Sequence, residues 1–186
     1  MELALETSLE KLATWSTLGS EFFVNHFLII HYVLTYNMYT LYFIMCCIVK
    51  VGINKVMKWA SRKWLPSSIA LRPVQPENCS MCNTGDYTSA DPGFPSGHSW
   101  IMAAVTTEIF LECEDVNNRL FVASLIMTIL TVWSRVFKRC HTWIQVGAGV
   151  LTGIPYGILV YYATPEFLHD DREAFWGPLT TSKYAL

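Results

Sequence analysis

Between Cys140 and Pro165 the chain carries no Asp, Glu, Lys or Arg. A charge-free stretch of this length exceeds the roughly 20 residues needed to cross a hydrocarbon core. A second tract tightens the constraint: from Leu12 to Val49 the only charged residue is Glu21. That tract is long enough for two spans, with a break near "TYNMY" at 35–39, the second running on to about Lys58. Two shorter apolar runs, His98–Leu111 and Leu120–Trp133, need their flanks to span. Each of those alone could be the core helix of a soluble bundle, but the tract at 140–165 argues against that fold. Composition agrees with lipid as the solvent: of 186 residues 52% are hydrophobic and 15% charged, where a soluble domain carries about 25%. The expectation is an all-α integral membrane bundle of about five transmembrane helices.

The chain reads as one domain, with a core at about 40–165. Residues 59–95 form a polar, Pro-rich loop between the second and third spans, and 166–186 a polar C-terminal tail. The first ten residues hold Glu2, Glu6 and Glu10 and no basic cluster, so no cleavable leader is expected. A net charge of −2 gives no reason to expect nucleic acid. Of the six cysteines only Cys79 and Cys82 have a suggestive spacing; they could be free thiols or a loop disulfide. Asn78-Cys79-Ser80 is formally a glycosylation sequon. Gly149 and Gly153 share a helix face and would allow close helix approach, while Pro155 should kink the same helix. Glu108, costly within a span, requires a partner, expected to be Ser, Thr or a basic side chain. Counting crossings puts the 59–95 loop and the 134–141 turn on one membrane face, which also collects Lys55, Lys58, Arg62, Lys63, Lys138 and Arg139.

Three short clusters lie at that face: "LRP" at 71–73, "PSGH" at 95–98 and "SRVFKRCH" at 134–141. A phosphate ester needs guanidinium forks and backbone N–H donors for its oxygens, and a helix N-terminus supplies the latter. Pro95 suits a first helical turn, Ser96 carries a hydroxyl, and Gly97 lets the backbone approach an anion. Displacement at phosphorus also needs a nucleophile and a proton donor, roles that His98 and His141 could divide. Gln145 stands four residues after His141, so its carbonyl oxygen can accept from one ring nitrogen and leave the other to attack.

In that order between apolar helices, "RP", "PSGH" and "SRx5H" resemble the type 2 phosphatidic acid phosphatase superfamily. The group includes lipid phosphate phosphatases, dolichyl diphosphatases, glucose-6-phosphatases and vanadium haloperoxidases. The resemblance, over about residues 40–165, implies an acid phosphatase/vanadium haloperoxidase-like helical core. It implies that Arg72 and Arg135 clamp the phosphate with Ser96 and the Gly97 amide, that His98 serves as acid and base, and that His141 forms a phosphohistidine. It implies no metal and no cofactor. The family's first-motif lysine falls on Leu65 here; Lys63 is the nearest substitute and Lys58 its rival. Where the family usually places Asp after the third-motif histidine this chain has Gln145, as dolichyl diphosphatases and glucose-6-phosphatases do.

The resulting expectation is a metal-independent membrane phosphatase whose partners are membrane lipids and a lipid phosphate or isoprenoid diphosphate substrate. The alternatives are a sugar-phosphate phosphatase and a catalytically impaired relative that binds phospholipid headgroups. The resemblance implies an active site facing the lumen, in the endoplasmic reticulum or another internal membrane; the basic excess on that face would, by the positive-inside rule, place it in the cytosol. The sequence specifies no oligomeric state.

Overall fold

The computed structural model describes residues 7–16, 26–73, 79, 90–113 and 118–180. Helices follow in the order α1 (7–16), α2 (Leu28–Thr35), α3 (Met38–Trp64), α4 (Ser67–Ala70), α5 (Gly97–Cys113), α6 (Arg119–Phe137), α7 (Trp143–Tyr162) and α8 (His169–Thr180), with a 3₁₀ turn at Glu166–Leu168 before the last. A single antiparallel bridge, Leu71 to Pro92, is the extended pairing seen among the described residues. The all-α expectation holds.

Among the described residues three helices, α3, α6 and α7, are long and apolar enough to cross a membrane. Helix α5, with 17 residues, is shorter, and every residue from Ser99 to Thr106 is buried. It is the central helix of the bundle, wrapped by α6 and α7 rather than by lipid. Of the first expected span, α1 and α2 are described and residues 17–25 between them are not.

Helix α6 shows the logic of a protein dissolved in lipid. Its buried side chains are polar, Ser124, Thr128, Thr131, Ser134 and Arg135, at the spacing of one helix face. Its outward residues Leu125, Ile126 and Ile129 are apolar and exposed. In water this arrangement would leave a large apolar surface bare; in a bilayer it is the low-energy one.

Helix α7 meets α5 through glycine. A Cβ on Gly149 would stand 2.5 Å from the Ser96 carbonyl oxygen, and one on Gly153 2.4 Å from that of Trp100. The close approach expected at these positions is present, and Gly157 extends it by another turn against Ala104. Pro155 lies inside α7 without ending it.

Two boundaries differ from the sequence reading. Helix α3 continues past Lys58 to Trp64, so 59–64 belong to the helix and the loop is shorter than expected. The C-terminal segment is not a polar tail: α8 folds back, and its Phe175 and Trp176 join the core with Tyr39, Phe43 and Ile109. Trp176 Nε1 donates to the Tyr39 hydroxyl at 3.2 Å, and the Tyr39 hydroxyl donates to Glu108 Oε1. The partner of Glu108 is therefore a tyrosine, not the Ser, Thr or base expected.

Candidate active site

Local chemistry brings the three clusters together at one end of the bundle. Leaving α4, the backbone pairs with the segment before Pro95: Arg72 N donates to Asp91 O at 3.0 Å and Gly93 N to Ala70 O at 2.8 Å. Helix α6 ends at Phe137, and Arg139 takes a left-handed conformation (φ 55°). The chain then turns back, so that the Cys140 and His141 amides both donate to the Arg135 carbonyl, at 2.9 and 3.1 Å. Thr142 caps α7 in a reciprocal capping box with Gln145. His141 thus sits beside the start of α7, and the Ser96 amide donates to the Gln145 carbonyl at 3.0 Å, joining the PSGH turn to the same place.

Gln145 is the hub. Its Nε2 donates to Ile69 O at 2.8 Å and Leu71 O at 2.6 Å. Two carbonyl acceptors require the amide nitrogen on that side, so Oε1 faces His141 Nδ1, 3.1 Å away. An amide oxygen accepts only; hence Nδ1 carries the proton and Nε2 carries the lone pair. Gly93 is needed beneath this amide, because a Cβ there would lie 2.5 Å from Gln145 Oε1. The contact of Gln145 with His141 that the four-residue spacing predicts is present. The same geometry explains why a carboxylate would fit poorly: it would face the Ile69 and Leu71 carbonyls with acceptors only.

The cations converge around the two histidines. Arg72 is 8% exposed and Arg135 1%, burial that arginine tolerates only when its fork is bonded. Arg72 Nη1 donates to Cys140 O at 2.9 Å, and Arg135 Nη1 to Cys79 O at 2.5 Å. Burial first, then the charges of Arg72, Lys58, Arg135 and His98, hold the His141 imidazole well below the ordinary histidine range. The ring is therefore neutral near pH 7, with Nε2 available as a nucleophile. His98, half-buried at the start of α5, lies within the fields of Arg135, Lys50, Lys58 and Arg72.

Lys63 is not part of this assembly. It is exposed, with its ammonium 5.6 Å from the Trp59 ring centroid. Lys58 is the lysine whose charge reaches His141 and Arg72. Ser96 is fully buried and its hydroxyl accepts from Ser99 Oγ at 3.0 Å, so it packs the turn. Three α3 residues unnoticed in the sequence hold that turn from the other side. Lys50 Nζ donates to Gly97 O at 2.7 Å, Asn54 Nδ2 to Pro95 O at 3.4 Å and Ser61 Oγ to Phe94 O at 3.0 Å. Their signal is a polar stripe at 50, 54, 58 and 61, the period of one helix face, hidden in a helix read only for its apolarity.

Cys79 and Cys140 form a disulfide, with Cα atoms 5.6 Å apart. The Cys79–Cys82 pairing considered from spacing is thus replaced by one across 61 residues of sequence; Cys82 and the sequon residues Asn78 and Ser80 lie outside the described residues.

A membrane bundle that gathers two arginines, a lysine and two histidines at one end defines a class: an embedded protein built to meet a phosphate-like anion. A family model described as the PAP2 superfamily matches residues 39–168, from the start of α3 to the 3₁₀ turn, and the chain belongs to that superfamily. The superfamily implies phosphatase activity in general, the hydrolysis of a phosphoric ester. No curated protein and no solved structure matches the chain.

Proposed function

We propose that the chain hydrolyses a lipid phosphate or isoprenoid diphosphate through a phosphohistidine on His141. The observation that carries this reading is the Gln145–His141 pair: a neutral, oriented imidazole with its free Nε2 among cations. In the first step the bound anion offsets the cations around His98, which then carries a proton; Nε2 attacks phosphorus, the P–N bond forms, the P–O bond to the leaving group breaks, and His98 gives that proton to the departing oxygen. In the second step His98 takes a proton from water, the new P–O bond forms, and His141 leaves as the neutral ring. Arg72, Arg135 and Lys58 meet the charge on the phosphoryl oxygens, which grows toward the transition state. The absent motif lysine is supplied by Lys58, from α3, rather than by Lys63.

An open apolar groove supports the lipid part. About 380 Å³ lies between α5, α6 and α7, lined by Ala103, Phe110, Leu125, Val150, Ile154 and Ile158. The hydroxyls among its walls are engaged: Thr106 and Thr128 bond each other at 2.8 Å, and Thr107 bonds Ala103 O. Ala103 is five residues past His98, about 7.5 Å along the helix, so the groove lies at a depth that the hydrocarbon part of a lipid substrate would occupy. The Cys79–Cys140 disulfide supports a site on the luminal, oxidising side of an internal membrane.

The test is phosphate release by detergent-purified protein in the presence of a chelator, from phosphatidic acid, isoprenyl and dolichyl diphosphates and glucose 6-phosphate, with His141→Ala alongside. Release from a lipid substrate that vanishes in the variant is expected. A preference for glucose 6-phosphate would replace the lipid assignment, and a folded protein inert on every substrate would overturn the reading in favour of headgroup binding.

A further inference from the structure

The two phosphate-facing arginines are cross-braced through the disulfide. Arg72 lies on the same segment as Cys79, and Arg135 on the same segment as Cys140. Each guanidinium, however, donates to the half-cystine of the other segment: Arg72 Nη1 to Cys140 O and Arg135 Nη1 to Cys79 O. Cys140 is fully buried and Cys79 is 6% exposed. The Cys140 amide closes the figure by donating to Arg135 O. The bridge, the Cys79 carbonyl and Arg135 thus form a closed circuit, and the Arg72 head is bonded to it at the Cys140 carbonyl.

We propose that the Cys79–Cys140 disulfide is a positioning element for the arginine pair, so that the enzyme works at full rate only while the bridge is oxidised. The inference rests on the phosphatase reading given above. The bridge fixes the Cys79 carbonyl, the acceptor of Arg135, to the turn that carries the Cys140 carbonyl, the acceptor of Arg72. A buried guanidinium needs an acceptor at a fixed point to present its remaining N–H groups to an anion, and a neutral carbonyl supplies that without cancelling the charge. Reduction by a dithiol breaks the S–S bond with two electrons and two protons, giving two thiols and the oxidised dithiol. The Cys79 carbonyl that accepts from Arg135 then loses its covalent tie to the Cys140 turn that accepts from Arg72, and the two guanidinium heads are no longer held at a fixed separation through the bridge.

The experiment compares parent, Cys79→Ser/Cys140→Ser and a Cys82→Ser control, each before and after dithiol treatment and after reoxidation. Mass spectrometry of alkylated peptides reports the bridge without reference to activity. Affinity for orthovanadate, a phosphate mimic, and the separate kcat and KM for phosphate release report the site. The parent is expected to show a Cys79–Cys140 peptide, to lose about 10- to 100-fold in vanadate affinity and kcat/KM on reduction, mostly through KM, and to regain both on reoxidation. Cys82→Ser should behave as the parent. If the double variant does not fold, reduction and reoxidation of the folded parent supply the same comparison. An active parent whose KM and vanadate affinity ignore reduction would overturn the positioning role and leave the phosphatase reading standing. A bridged parent that neither binds vanadate nor releases phosphate would overturn both.

Discussion

The two ends of this bundle both bury charge, and they hold it in opposite ways. At the far end Arg172 Nε reaches Glu112 Oε2 at 3.3 Å and lies over the Tyr161 ring, while Glu108 takes the Tyr39 hydroxyl. Cation meets carboxylate, and aromatic rings seal the remainder. At the site end Arg72, Arg135 and Lys50 are bonded to neutral carbonyls, those of Cys140, Cys79 and Gly97. A carbonyl fixes the head of a cation and leaves its charge in place. The first arrangement pairs its charges within the chain; the second is where, on the function proposed above, an incoming anion is met.

Substitutions at the two ends should therefore separate activity from stability. The largest effect is expected from Arg135→Leu: a loss of about 10²- to 10³-fold in kcat/KM, the size seen when one donor to a developing anion is removed, read in the phosphate-release assay. Gln145→Glu should follow, with about 10- to 100-fold, because it sets carboxylate oxygens against the Ile69 and Leu71 carbonyls and frees the His141 ring. Gln145→Leu as active as the parent would show that the amide does not orient the histidine. At the far end Tyr39→Phe removes the donor to a buried carboxyl, a cost of about 1–3 kcal/mol; Tm should fall while kcat/KM stays within about twofold.

Smaller effects sharpen the comparison within the site end. Lys58 helps keep His141 neutral, so Lys58→Met makes the imidazolium easier to form and raises the His141 pKa. The acid limb of kcat/KM, which reports the free enzyme, should then move to higher pH than in the parent. An acid limb that stays in place would remove Lys58 from the account. Lys63→Ala, over Trp59 and away from the histidines, should change kcat/KM by less than about twofold.

How much of this was legible depended on sequence distance. Charge-free tracts marked α3, α6 and α7 because in lipid a single physical property, the absence of charge, is enough to define a span. The contact of His141 with Gln145 was legible because i and i+4 are neighbours on any helix. The Cys79–Cys140 pair was not: it joins residues 61 apart, and nothing local distinguishes it from Cys79–Cys82. Helix α8 was read as a tail because "HDDRE" opens it; Phe175 and Trp176 make it part of the core, and two adjacent aromatics carry no helical period. Counting along the chain toward Arg72 favours Lys63 over Lys58. Helix α3 continues past both, and the face it turns to the site carries 50, 54, 58 and 61.

The account's central claim is that the cation-rich end makes His141 a nucleophile. Brief incubation with a lipid phosphate labelled at phosphorus, in chelator, followed by a denaturing quench and peptide mapping, tests it directly. The account predicts an alkali-stable, acid-labile phosphoryl group on the peptide containing His141, absent from His141→Ala. Turnover at the parent rate with no label on His141, or label retained in the variant, would contradict it.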